Sequence, residues 1–235
     1  MKKQHFSLTK PFALVATGVL LGHGAQATTR ITFGGFSTDN VTLSSMAGYG
    51  SFVNATSTDY LATVGVSGFL GTPGIGVTWG AGYESYTAWD GRGNVAQTDF
   101  NAGNPIDVVF TPNAGFGVLV SAFTLDEWAG GGNMSVSWSL FDSFGVLASG
   151  VWDAKNTAND PSDLGGRDII LTGLTSASVS STPVTLRLIH TSGFASYAAL
   201  DNLTFDQITV VPEPSVIGLL GAGLGALALR RRKQM

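Results

Sequence analysis

Carboxylates, one histidine away from the N-terminal segment and a set of indole and phenol rings are the residues of this chain that could do chemistry. His5 and His23 lie in the first two dozen residues, so His190 stands alone in the rest of the chain. A histidine-rich metal site is thereby excluded. A Ser-His-Asp triad needs only one histidine, and Ser192 and Ser196 follow His190 closely. However, the sequence has no Gly-x-Ser-x-Gly turn to present a nucleophile, and the expected role of His190 at a strand end is structural. The absence of cysteine removes thiolate nucleophiles and Cys-ligated zinc.

Paired carboxylates suit glycoside hydrolysis, one as general acid and one as base or nucleophile. Away from the C-terminal tail the chain has 13 aspartates but only two glutamates, Glu84 and Glu127. Glu127, beside Asp126 and Trp128, is the candidate acid. The expected reading is blander: Asp126 and Glu127 form a solvated turn leading into Gly130, Gly131 and Gly132. Calcium is the more plausible ion, since hard cations take carboxylate and amide oxygens. Asp153, Asp160, Asp163 and Asp168, with Asn156 and Asn159, crowd one segment, and the four aspartates are its candidate ligands. Their spacing is not that of an EF-hand, and a turn rich in Asn and Asp would have the same composition. Asp201 is predicted by alternation to share a face with Ala199, Leu203 and Phe205, where a carboxylate needs backbone donors, an arginine or an ion.

Trp79, Tyr83, Tyr86 and Trp89 cluster among glycines with little hydrophobic alternation. As an exposed ring cluster they would stack on sugar faces and form a binding surface. Alternatively Trp79 caps the core and the tyrosines anchor a loop. Charge narrows the partners further. Lys2, Lys3 and Lys10 lie at one end and Arg230, Arg231, Arg232 and Lys233 at the other, which leaves five basic against 15 acidic residues over the body, 28–210, a net charge near −10. That charge excludes nucleic acid and repels anionic membrane surfaces; neutral sugars, cations and basic partners are not repelled.

The elements that must position these residues read as β throughout. Runs rich in Val, Ile, Thr and aromatics are separated by Gly, Asn, Asp and Pro clusters. Strands are predicted at Arg30–Phe36, Tyr60–Val66, Gly76–Trp79, Val95–Phe100, Ile106–Thr111 and Phe116–Leu125. Further strands are predicted at Met134–Phe141, Val146–Trp152, Asp168–Leu174, Pro183–His190 and Ala198–Val210. Val136, Trp138 and Leu140 alternate with serines, and Val184, Leu186 and Leu188 with Thr185 and Arg187. Period two with polar partners indicates antiparallel sheets covered on one side. So many strands in a domain spanning 28–210 predict an all-β fold, an antiparallel β-sandwich of jelly-roll type.

Both ends of the chain carry address signals. A basic start, the apolar stretch Phe12 to Leu21 and Ala25-Gln26-Ala27 have the form of a secretory signal peptide over residues 1–27, cleaved after Ala27 and exported by the Sec machinery. At the other end, residues 211–235 read Pro212-Glu213-Pro214, then an uncharged run from Val216 to Leu229, then four consecutive basic residues. A cytoplasmic basic flank places everything before Pro212 across the membrane. The run would rise only about 21 Å as a helix, short of a hydrocarbon core of about 30 Å, which suits a transient anchor.

Motif, apolar run, basic cluster and terminal position together resemble the PEP-CTERM sorting signal. The resemblance implies a Gram-negative bacterium and an exosortase, a membrane-embedded peptidase that reads the motif and cuts near it. It also implies transient anchoring of the tail helix in the inner membrane, then release to the cell envelope or extracellular matrix, where exopolysaccharide and biofilm are the expected setting. The patches Trp89-Asp90-Gly91-Arg92-Gly93-Asn94-Val95 and Ala199-Leu200-Asp201-Asn202-Leu203-Thr204-Phe205 resemble jelly-roll domains of such proteins. The expected function is therefore non-enzymatic; the competing expectations are a secreted polysaccharide hydrolase acting through carboxylates and a cell-surface adhesin.

Overall fold

The computed structural model describes residues 27–46, 49, 53–55, 72–89, 92–101, 104–127, 134–154, 167–170, 181–193 and 197–210. Ala25, the sorting tail and the strand predicted at Tyr60–Val66 lie outside the described residues, as do Asp160 and Asp163. Among the described residues no helix is long and apolar enough to cross a membrane.

In chain order the strands are β1 (Ala27–Ile31), β2 (Val53–Ala55), β3 (Thr72–Trp79), β4 (Tyr83–Trp89), β5 (Gly93–Asp99) and β6 (Ile106–Pro112). They continue as β7 (Phe116–Glu127), β8 (Met134–Asp142), β9 (Gly145–Ala154), β10 (Arg167–Ile170), β11 (Val184–Gly193) and β12 (Tyr197–Thr209). One sheet runs β10-β7-β12-β5-β4, with β1 also on β12; the other runs β2-β3-β6-β11-β8-β9. Every pairing is antiparallel. β12 organises the first sheet, taking β7 along one edge and β5 then β1 in tandem along the other.

Alternation places the core between the sheets. Val184, Leu186 and Leu188 of β11 are buried, while the intervening Thr185 and Arg187 face outward, where Arg187 pairs with Asp107 at 2.7 Å. Rings bridge the layers: Phe110 meets Phe205 at 5.0 Å and Phe123 meets Trp138 at 5.5 Å between centroids. Each such aromatic removes a large apolar area from water, which is the main source of sandwich stability.

Several predicted boundaries move, and β2 and β4 match no predicted strand. The first strand begins at Ala27 and ends at Ile31, because Phe33 takes a positive φ of 55° and turns the chain; Phe33 and Phe36 still enter the core from that turn. The segment read as a ring-rich loop is strand β4. It escapes recognition because aromatics occupy both of its faces: Tyr83 points to the core and Tyr86 to the outer surface. The link from β3 to β4 crosses between sheets in three residues. Gly80 permits it, since a Cβ there would lie 2.7 Å from the Asp107 carbonyl oxygen, and Gly82 has φ +93°.

The open edge of β4 is covered by the segment that follows β1. Asn40 N–H donates to the Ser85 carbonyl at 2.7 Å, Ser85 N–H donates to Val41 at 2.9 Å, and Thr42 bridges Glu84. Covering an edge in this way removes a template for intermolecular pairing.

Candidate functional site

The register of the first sheet assembles a polar and aromatic patch on its outer face. Glu84, Gln97, Ala199 and Asp126 form one row across β4, β5, β12 and β7. In the neighbouring rows lie Tyr86 opposite Val95, Asp201 opposite Thr124, and Tyr197 opposite Asp99. Gln97 is buried and its amide donates to Asn40 at 2.7 Å and to Glu84 at 3.1 Å. Asn40 reaches this face because it adopts a left-handed φ of 57°, a conformation that asparagine tolerates. The charge of Asp99, then desolvation and then the charge of Glu84 push the Tyr197 phenol above its ordinary range.

Trp89 packs on Val95 and Ala199, with Tyr86 edge-on at 5.7 Å and Tyr197 alongside. This corrects the expectation of an exposed ring platform. Trp79 and Tyr83 are core residues, 2% and 0% exposed, in a T-shaped contact at 5.1 Å that joins the two sheets. Trp89 is also buried, at 2%. Of the four predicted rings, Tyr86 alone stays half-exposed.

The acidic pair is corrected too. Asp126 and Glu127 end strand β7 rather than form a solvated turn, and Asp126 is buried. Arg92, in the β4–β5 connection, explains why a carboxylate is tolerated there. Its Nε donates to Asp126 Oδ2 at 2.6 Å, and its Nη1 lies 3.8 Å from Asp201 Oδ2. Asp126 Oδ1 accepts the Glu127 N–H at 2.9 Å. The predicted face of Asp201 holds for Ala199 only. A bulge at Asn202, with φ 51°, breaks the alternation and returns Leu203 and Phe205 to the core. Asp201 takes the expected partners: the Asn202 N–H at 2.6 Å and the Asn202 amide at 3.1 Å, besides Arg92. Asn202 also accepts from Arg30 Nε at 2.9 Å.

Elsewhere, His190 lies 5.7 Å from the Phe100 ring centroid, and its backbone exchanges hydrogen bonds with the Asn104 side chain. Among the described residues no hydrogen bond links it to Ser192; Ser196 lies outside them. Of the calcium candidates, Asp153 is the last residue but one of β9 and accepts from the Ser135 hydroxyl. The backbone of Asp168 pairs with Thr124 in the other sheet. No group of three His, Asp or Glu gathers among the described residues. Asp206, on β12, is buried, which pushes its carboxyl up against the opposing effect of the Thr28 hydroxyl that donates to it.

Sequence reasoning missed Tyr197, Gln97 and Arg92 as members of one patch. Arg92 had a usable signal, since buried aspartates demand a cation and the body has few. As assembled, the patch offers half-buried phenol rings beside fixed amide and carboxylate groups. That is chemistry for hydrogen-bonding a neutral hydroxylated ligand.

β12 ends at Thr209, and the next residues complete the address read from the sequence. The family model for the PEP-CTERM protein-sorting motif matches residues 210–233. This chain carries a PEP-CTERM sorting motif. The motif implies export, sorting to the cell envelope and exosortase processing. No curated protein matches the chain in sequence. Among solved structures, it is similar to a DUF4465 family protein from Bacteroides caccae, with 13% identity, a TM-score of 0.40, and coverage of 76% of this chain and 98% of that one. It is also similar to TmCBM61 in complex with β-1,4-galactotriose, with 8% identity, a TM-score of 0.28, and coverage of 58% and 83% respectively. Neither likeness bears on function.

Proposed function

We propose that this PEP-CTERM protein is a non-enzymatic component of the envelope or extracellular matrix of a Gram-negative bacterium, associated with exopolysaccharide. The sorting motif directly after the last strand carries the reading. In this account a signal peptide directs Sec export, and residues 211–235 hold the body at the inner membrane until an exosortase cuts near Pro212-Glu213-Pro214. The body then joins the polysaccharide matrix. Its strand order, β10-β7-β12-β5 facing β6-β11-β8-β9, supports a double Greek key and hence the jelly-roll assignment.

The arrangement of Asp126 and Asp201 supports a binding rather than a hydrolytic role, since Arg92 lies against both carboxylates. The outer-face patch around Tyr86, Gln97 and Tyr197 is the surface assigned to polysaccharide. Intact mass of the protein from envelope and medium fractions tests the sorting step. A mass starting at Thr28 and ending near the Pro-Glu-Pro motif is expected; one that retains Arg230 to Met235 would remove exosortase from the account. Retention on the host's own polysaccharide tests the binding step. The double variant Tyr86→Ala, Tyr197→Ala should wash off more readily than wild type while keeping its thermal midpoint within a few degrees. Glu127→Gln should leave polysaccharide turnover unchanged; loss of sugar release would favour the hydrolase reading instead.

A further inference from the structure

The body has two ends, and the register shows which one the sorting tail leaves from. Val210 N–H donates to the Gly115 carbonyl at 2.9 Å, which pins the exit of the chain against the β6–β7 turn. Ala27 pairs with Gln207, so β1 starts at the same end. From that turn the ladder can be followed across the second sheet. Phe110, near the end of β6, pairs with Val184 at the start of β11, and Thr185 pairs with Phe141 near the end of β8. The β8–β9 turn, Asp142 to Gly145, follows directly, and Ser143 Oγ lies 3.4 Å from Thr182 Oγ1.

At the tip of this turn stand Phe144, 85% exposed, and Val146, 67% exposed. They are two of the three large exposed hydrophobics among the described residues. The turn itself is firmly built, because Asp142 Oδ1 accepts the N–H groups of Phe144 at 2.7 Å and Gly145 at 3.1 Å. A rigid turn presenting an aromatic ring to solvent carries a hydration penalty with no return inside the folded body.

The length of chain beyond the body says what covers it. From Val210 to Val216, where the apolar run begins, six residues span at most about 20 Å even when fully extended. While the tail is in a bilayer, this end of the sandwich is therefore held close to the lipid surface. We propose that Phe144, with Val146 beside it, inserts into the lipid interface and orients the body for presentation of the Pro-Glu-Pro motif. The inference rests on the sorting reading and names its membrane-facing surface. A body of net negative charge is repelled by an anionic surface, so the hold must be apolar: Asp142 lies in the turn itself, and the nearby Arg187 guanidinium is stacked 5.0 Å over the Phe141 ring and paired with Asp107. Aromatic rings are the side chains that settle at membrane–water interfaces.

The absence of native cysteine permits single-site labelling. Full-length protein would be reconstituted in phosphatidylethanolamine/phosphatidylglycerol vesicles with an environment-sensitive fluorophore on F144C, on A81C at the opposite end, or on A226C in the tail. Expected is a blue shift and quenching by lipid-borne nitroxide at positions 144 and 226, with water-like emission at 81. A water-like signal at 144 with a shifted 226 overturns the proposal and leaves the sorting reading standing. A water-like signal at 226 overturns both. In a second measurement, Phe144→Ser should slow motif cleavage by exosortase-containing membranes several-fold without lowering the thermal midpoint; an unchanged cleavage rate would also count against the proposal.

Discussion

Tyr83 carries its hydroxyl into the core, where it is fully buried and has no hydrogen-bond partner among the described residues. An unsatisfied buried donor costs roughly 1–3 kcal/mol, so Tyr83→Phe should stabilise the body by about 1 kcal/mol in denaturant titrations. Burial, with a smaller contribution from Asp107, pushes the phenol well above its ordinary range. The unfolded chain ionises this group first, near pH 10. The stability that the protonated phenol contributes is therefore whole below that pH and is lost as pH rises above it. Tyr83→Phe should make the alkaline fall in thermal midpoint shallower, and an unchanged slope would contradict this account. Arg92 is the opposite case, since removing it leaves Asp126 and Asp201 buried without their cation. Arg92→Met should cost on the order of 3 kcal/mol, read as a lower denaturation midpoint with an unchanged m-value.

At the scale of elements, β8 and β9 show how two strands share one ring. Trp138 pairs with Gly150, and a Cβ at Gly150 would lie 2.7 Å from the indole. The glycine provides a floor for a ring that also meets Phe123 across the layers. Gly150→Val would lever Trp138 out of that contact and should destabilise by about 1–3 kcal/mol; a neutral result in denaturant unfolding would mean that the indole has another place to sit. Strands β8 and β11 were legible because one face is buried and the other solvated, so hydrophobicity reports orientation residue by residue. β4 was not, because Tyr83 faces the core while Tyr86 belongs to the outer cluster. Period two then disappears from the hydrophobicity pattern although it persists in the backbone.

For the molecule as a whole, folding and address are separable. The last strand ends at Thr209 and is closed by the Val210–Gly115 hydrogen bond. Deleting residues 211–235 should therefore leave the melting temperature within a degree or two of wild type. The same deletion should move the protein from the envelope fraction to the medium, as fractionation and immunoblotting would show. Persistent envelope association would contradict the sorting account. A fall in melting temperature of many degrees would instead show that the tail contributes to the sandwich.

The sorting address and the all-β class were determined by the sequence alone. Pro212-Glu213-Pro214, the apolar run and the basic cluster are contiguous, so their meaning does not depend on folding. Strand class depends on local alternation and turn residues, which a short window contains. The tertiary structure alone decided which rings are surface and which are core, because register sets that and register is a long-range property. Trp79 and Tyr83 are neighbours in sequence with Trp89, yet the crossing at Gly80–Gly82 and the bulge between Tyr86 and Trp89 send them to different clusters. It also decided the pairing of Arg92 with Asp126, residues far apart in the chain. Their meeting depends on β12 standing between β5 and β7, an arrangement to which no local pattern points.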